Sequence, residues 1–523
     1  MPINPPRVLR TLLLPALTLF TLVSSTSAAD KLAERIDQHL AQPHFKTAHW
    51  GFLFVDLATG ETIVERDSTK LFVPASTTKL YSTATALDAL GADYRFHTPI
   101  HRRGSVDDQG RLDGDLILVA SGDPTLGGRT TEKGEIAFQD SDHIYANWAP
   151  EAKLTTEDPL AGIKALAKQV SAAGIRHISG DVLIDDRLFV HSEGSGSGPQ
   201  LVTPIIVNDN VLDFTFEPTE PGQPAKCEWR PHASLFKIDF DVSTVKENEP
   251  QEFSIRPQGD GRIRVTGKIP ANKSQSVRVH EVPDPAAFAR ALLIEALGKE
   301  GVKVTSKPTQ RHPSGKLPER DAYKDLPKVA EFISPPFAEN AKLVLKVSHN
   351  LHASVLPLLV AVKHDKRTVA DGLKLEGQFL AKAGVDADTI SFGGGAGGSR
   401  ADYVTPAATV QLLRHMSTRP DFFVYERALP ILGVDGTLAK AVAADSPAKG
   451  QAQAKTGTLT WDNLLFGRPL CTSKALAGYL TTAQGKRLAF AAFINGVHFK
   501  DGIDTAHLGR DLGKLCEIIH TER

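Results

Sequence analysis

The stretch Val73-Pro74-Ala75-Ser76-Thr77-Thr78-Lys79 decides how the rest of the chain is read, because it sets a hydroxyl and an amine three residues apart at a helix start. Leu80, Ala84 and Leu87 repeat behind it at spacings of four and three, and Gly91 follows. The spacing predicts a buried helix that opens at the serine and stops at the glycine. Residues i and i+3 share a helix face, so Ser76 and Lys79 lie side by side. A lysine enclosed by core loses its proton near neutral pH and can take the serine's. The same four residues also arise by chance as a capped helix with a surface lysine, so the pair signifies chemistry only if its partners occur elsewhere.

With 523 residues the chain is long enough for roughly three domain-sized units. Lys and Arg number 60 against 61 Asp and Glu, a balance that argues against a general nucleic-acid binder and against electrostatic attachment to lipid. Arg7 and Arg10 precede an apolar run over residues 12–23, and Ser27-Ala28-Ala29 offers a cleavage site. Residues 1–29 therefore read as a secretory signal peptide, which implies a periplasmic protein. The run is interrupted by Pro15 and falls short of the roughly 20 residues that span a bilayer, and residues 506–523 lack a basic amphipathic face. No stable membrane anchor is expected. Cys227, Cys471 and Cys516 fit no zinc or redox spacing; Cys471 and Cys516 are the pair one disulfide would join, and Cys227 reads as an inert thiol.

Residues 49–56 and 61–65 read as a hairpin turned at Ala58-Thr59-Gly60, followed directly by the serine helix. Strands of similar apolar character recur far away at 475–482 and 487–495, so both ends of the chain are expected to build one α+β domain. Between them, from about Tyr94, short β-rich runs alternate with glycine and aspartate turns, and the texture reverts near Asp284, where Phe288, Leu292, Leu293 and Leu297 repeat helically. The expected organisation is a discontinuous domain of residues 30–93 and 285–523 around two β-rich accessory units in 94–284.

Two more motifs supply what a serine and a lysine need. Ser348-His349-Asn350 falls between helical runs at 338–347 and 351–362 and forms a tight loop with Ser348 and Asn350 on one side. Lys455-Thr456-Gly457-Thr458 opens a strand in which glycine permits a close backbone approach by substrate. Taken alone, each is also an ordinary helix cap or an edge-strand lysine.

In this order the three resemble the signature of the penicillin-binding proteins and class A β-lactamases. Further words, among them Gly122-Asp123-Pro124-Thr125-Leu126, Val207-Asn208-Asp209-Asn210, Ser334-Pro335-Pro336 and Gly433-Val434-Asp435-Gly436-Thr437-Leu438, resemble the class C low-molecular-mass penicillin-binding proteins, which are D-alanyl-D-alanine carboxypeptidases and endopeptidases. The resemblance implies a serine β-lactamase-like transpeptidase domain, an antiparallel sheet covered by helices, with inserted accessory domains. It implies peptidoglycan stem peptides as substrate, β-lactams as inhibitors and no cofactor or metal. Ser76 would be the nucleophile, Lys79 the base, Ser348 a proton relay and Lys455 its electrostatic tuner. Asn350 would bind the substrate amide, Thr456 and Thr458 its carboxylate, and the backbone N–H groups of Ser76 and Thr458 the oxyanion; Gly457 opens the strand. By looser analogy, Arg400 and Asp185 would read the peptide side chain.

Several positions depart from that pattern. His349 stands where the family usually has aspartate and is expected to face away from substrate, so that His349→Asp leaves the rate little changed. His352 and Ser354 replace the usual tyrosine and glutamate, Pro357 is expected to kink or restart the helix, Gly394-Gly395-Ala396-Gly397 replaces Asp-Gly-Ser-Gly, and residues 461–473 read as an insertion. Residues 393–398 match G-x-G-x-x-G without opening a helix, so no dinucleotide is expected. His349 and His352, with no third ligand in sequence, read as solvent-facing rather than metal-binding. A catalytically impaired wall-binding protein, a β-lactamase and, less readily, a secreted esterase are the alternatives.

Overall fold

The computed structural model describes residues 1–4, 28–500 and 502–523, so nearly all of the segment expected to be a signal peptide lies outside the described residues. The elements that carry the site are β1 (His49–Asp56), β2 (Thr62–Arg66), α1 (Thr78–Leu90), α2 (Phe337–Lys346), α3 (Asn350–Lys363), β3 (Ala452–Trp461), β4 (Leu470–Thr481), β5 (Arg487–Asn495) and α4 (Thr505–Glu522). The strands form one sheet in the order β3-β4-β5-β1-β2, with the short strand Val497–His498 added on β4. β1 pairs antiparallel with β5 from His49 opposite Asn495 to Asp56 opposite Leu488, so both ends of the chain close a single sheet.

After its first residue β1 is buried along its whole length, as a central strand covered on both faces must be. Phe54 stacks on Phe490 of β5, and both rings are fully enclosed. One face is covered by α4 and the N-terminal helix Ala28–Leu40, the other by a bundle around α1. α1 is buried from Thr78 to Leu87, which the polarity of Thr78, Lys79, Ser82, Thr83 and Thr85 alone would not suggest. Two of its hydroxyls are paired inside, Thr85 donating to the carbonyl of Tyr81 and Ser82 to that of Gly395, whereas those of Thr78 and Thr83 find no partner. Gly91 ends the helix with φ +88°, a conformation that costs a side chain dearly. α3 runs unbroken through Pro357, where a kink was expected; Gly372 lets the next helix, Val369–Lys382, lie against the Pro357 carbonyl.

The inserted part contains a second six-stranded sheet, built from Lys303–Val304, His177–Ile178, Arg111–Val119, His97–Val106 and Lys328–Ile333, with Val182–Asp185 paired on Arg111–Val119. Two three-stranded sheets complete it, one of them containing Val211–Glu217. The helix Pro285–Lys299 packs on this accessory core through Phe288, Leu292, Leu293 and Leu297. The chain therefore rejoins the first unit at Phe337 rather than at residue 285. Helical spacing marked the helix correctly, but periodicity does not say which sheet a helix covers. All three cysteines are free, including Cys471 and Cys516, which are both buried in the core under α4. Among the described residues, no helix is long and apolar enough to cross a membrane.

Phe54→Ala removes a fully enclosed ring at the seam between the two ends of the chain and is expected to cost about 3–5 kcal/mol. A chemical-denaturation midpoint unchanged from wild type would mean that β1 and β5 do not share a core.

Candidate active site

Ser76 sits in the single turn Ala75–Thr77 that leads into α1. Ala75 has φ +49°, a strained value for a residue with a Cβ, and this holds the following hydroxyl out of the helix line. The turn is clamped from two strands: Asn495 of β5 accepts from the Val73 amide at 2.8 Å, and the Ser473 hydroxyl of β4 donates to the Val73 carbonyl at 2.6 Å. Gly457 lets β3 press against the same turn, since a Cβ there would meet the Pro74 carbonyl at 2.6 Å. Its smallness thus serves the nucleophile's own backbone, whereas the sequence suggested room for substrate.

Lys79 is fully buried, and its Nζ reaches three acceptors: Ser76 Oγ at 2.8 Å, Asn350 Oδ1 at 2.8 Å and the Ala396 carbonyl at 2.7 Å. Burial pulls its pKa down to about 7, against a smaller upward pull from the carboxylates of Asp142 and Asp402. The glycine-rich loop that departs from the family pattern is therefore part of the site. Gly397, at φ +88°, lies so close to the Ala75 carbonyl that a Cβ would stand 2.0 Å from it. Asp402 fastens the loop by accepting from the amides of Gly393 at 2.7 Å and Ser399 at 2.9 Å.

Ser348 and Asn350 occupy the tight connection between α2 and α3, where Ser348 takes φ +66° and both line the cleft. Asp142, from the inserted part of the chain, accepts from the Asn350 amide at 2.8 Å and from its Nδ2 at 3.0 Å. One carboxylate oxygen thus satisfies an orphan helix-start donor and fixes the side-chain amide, so that Oδ1 faces Lys79. Lys455 is fully buried and donates to the carbonyl of its neighbour Thr456 at 2.8 Å. Burial holds its pKa well below the usual amine range, helped by Lys79 and Lys474. Thr456 donates to Thr437 at 2.7 Å, and Lys474 of β4 donates to Thr458 at 2.9 Å. Ser76, Ser348, Asn350, Thr456, Thr458 and Lys474 face a common open cleft.

The structure does not bring Asp185 or Arg400 to this cleft. Asp185 is spent on a two-pronged ion pair with Arg187 and a hydrogen bond from Tyr323, and Arg400 is exposed outside the lining. Asp142 and Lys474 were not singled out in the sequence, and Thr437 entered only as part of the stretch Gly433–Leu438 without a role. No local pattern marks Asp142, and Lys474 lies beyond the inserted residues 461–473.

The solvent-facing reading of His349 and His352 is corrected. Both rings face away from the cleft, as expected of His349, but they are fully buried and stack at 3.8 Å. Their third partner is Asp209, far away in sequence, which receives His349 Nε2 at 3.2 Å and His352 Nε2 at 2.8 Å. The three could each offer one donor to a metal ion. The Asp209 carboxylate is already committed, however, to Arg129 at 2.5 Å and to His143 at 2.7 Å, and a dication would have to displace the guanidinium. Burial alone would raise the Asp209 pKa, but Arg129, the two stacked histidines and His143 outweigh it and hold the carboxyl well below its usual range. A second trio, His44, His507 and Asp511, is partly exposed beside α4, where His44 pairs with Asp511 at 3.1 Å.

Asp209→Ala leaves Arg129 buried without its carboxylate and strips His349 and His352 of their shared acceptor, and it is expected to lower stability by about 3–5 kcal/mol in chemical denaturation. His349→Asp sets a carboxylate against Asp209 and Asp142, so this substitution, innocuous in the sequence reading, is expected to destabilise as well.

With this geometry in place, the relatives are informative. The family model for "D-Ala-D-Ala carboxypeptidase 3 (S13) family" matches residues 32–509. A D-alanyl-D-alanine carboxypeptidase of Actinomadura sp. (strain R39) is 28% identical over 92% of this chain and 86% of its own. The D-alanyl-D-alanine carboxypeptidase DacB of Haemophilus influenzae is 24% identical over 85% of each chain. The crystal structure of penicillin-binding protein 4 from H. influenzae shares the fold, with a TM-score of 0.66 at 21% identity over 93% of this chain and 98% of that one. Another structure of that protein holds a β-lactam. The match spans nearly the whole described chain: it belongs to the D-Ala-D-Ala carboxypeptidase 3 (S13) family.

Proposed function

We propose that the protein is a serine D-alanyl-D-alanine carboxypeptidase and endopeptidase that hydrolyses peptidoglycan stem peptides in the periplasm through an acyl-enzyme on Ser76, and that penicillin inhibits it. The observation that carries this reading is the position of Lys79, a buried amine with a pKa of about 7 in direct contact with Ser76 Oγ. Such an amine is neutral in a large fraction of molecules at neutral pH and can accept the serine proton as the oxygen attacks.

In this reading Ser76 Oγ bonds to the penultimate D-alanine carbonyl carbon, and its proton passes to Lys79. The backbone N–H groups of Ser76 and Thr458 stabilise the oxyanion. Collapse breaks the C–N bond, and Ser348 relays the proton to the leaving amine. Water then adds to the ester, the reverse proton path restores Ser76, and the peptide leaves as a carboxylate. Asn350 holds the substrate amide, while Thr458 and, once its hydroxyl turns from Thr437, Thr456 receive the carboxylate of the leaving residue. Lys455 is the electrostatic tuner of the relay in this reading; the Lys79 charge adds to the burial that lowers the Lys455 pKa. The departures in residues 394–397 leave the base supported, because the Ala396 carbonyl holds it. This favours an active enzyme over an impaired wall-binding protein. Export through the segment at 1–29 would bring the enzyme to its substrate.

Benzylpenicillin is expected to form one stable adduct, on Ser76, visible by intact-mass spectrometry and peptide mapping. Ser76→Ala abolishes it, and Lys79→Ala slows it by about 10²- to 10⁴-fold. An adduct on another serine, or none at millimolar penicillin, overturns the assignment.

A further inference from the structure

Three lysines converge on the cleft, and two are committed inward. Lys79 is held by Ser76, Asn350 and Ala396. Lys455, the lysine of the third motif, donates to its own strand's Thr456 carbonyl and is fully enclosed, outside the cleft lining. The third, Lys474, stands on β4 directly opposite Thr458 and lines the cleft. Among the described residues its ammonium makes one hydrogen bond, to Thr458 Oγ1 at 2.9 Å. Gly509 of α4 lies alongside it and adds no polar side chain.

We propose that Lys474 is the cation that recognises the C-terminal carboxylate of the substrate, acting with Thr458 as a specificity-determining pair. This rests on the DD-peptidase reading and assigns its carboxylate selectivity to a residue outside the three motifs.

The hydrogen-bond directions support the assignment. Thr458 accepts from an ammonium that has no lone pair to offer, so its own hydroxyl proton is free to point into the cleft. The Thr456 proton goes to Thr437 instead. A carboxylate accepting from Thr458 stands about two hydrogen-bond lengths, roughly 5 Å, from the Lys474 ammonium or closer, in a walled site where charge attraction is weakly screened. Burial lowers the Lys474 pKa to about 8, opposed by Cys471 and Asp504, so the side chain remains mostly protonated at pH 7. The Cys471 thiol, pushed up to about 11, is neutral there.

The test compares one acyl-D-Ala-D-Ala peptide with its C-terminal carboxamide, using wild type, Lys474→Met and Lys474→Gln. Wild-type hydrolysis of the free acid tests the DD-peptidase reading by itself. For Lys474 the readout is the ratio of kcat/KM for acid over amide in the same preparation, from which any misfolded fraction cancels. Both variants are expected to lower that ratio roughly 10- to 100-fold, the worth of one charge-assisted hydrogen bond, with amide turnover within about threefold of wild type. A ratio that stays at the wild-type value, whether or not both activities fall together, overturns the proposal.

Discussion

A buried lysine beside a serine is the constraint on which the other contacts depend. Removing the Lys79 ammonium from water costs several kcal/mol, so the fold must offer polar partners in fixed places or let the group go neutral. It does both. The turn before α1, the start of α3 and the loop at 393–399 each contribute one contact to the same nitrogen. Those contacts in turn dictate strained backbone at Ala75, glycine at 397 and a carboxylate at Asp402 to fasten the loop. Asp402 pays for its place with a pKa raised to about 6 by burial, in spite of two amide donors.

The accessory unit is a structural part of this arrangement. Asp142 holds the start of α3 and orients the Asn350 amide, while Asp209 anchors the two stacked histidines on the far side of the same helix turn. The start of α3, with Asn350 and the preceding Ser348, is thus gripped by inserted residues on two sides. The His349 ring is accommodated there by the Asp209 carboxylate, which also meets Arg129 and His143.

Much of this was legible in the sequence. The serine helix, the tight loop at 348 and the β-run at 455 showed themselves through local spacing, and the resemblance of the strands at both chain ends pointed to a shared sheet. What stayed hidden depends on tertiary contact. Nothing around Asp142 marks it as a helix clamp, because its partner is about two hundred residues away. The two histidines looked exposed because the third member of their cluster, Asp209, belongs to a different unit. Lys474 escaped notice for a related reason: its register opposite Thr458 exists only once β3 and β4 pair across the inserted loop. The boundary near residue 285 failed because periodicity identifies a helix and not the sheet beneath it.

The central claim is that Lys79 acts as a neutral base, and the pH dependence of Ser76 acylation by a β-lactam tests it most directly. Burial lowers the Lys79 pKa to about 7, so the competent, unprotonated fraction grows as pH rises. The second-order acylation rate is expected to increase about tenfold per pH unit below that value and to level off above it, with a midpoint near 7. A rate still climbing through pH 9, as an ordinary lysine would give, or one indifferent to pH between 5 and 8, would contradict the account.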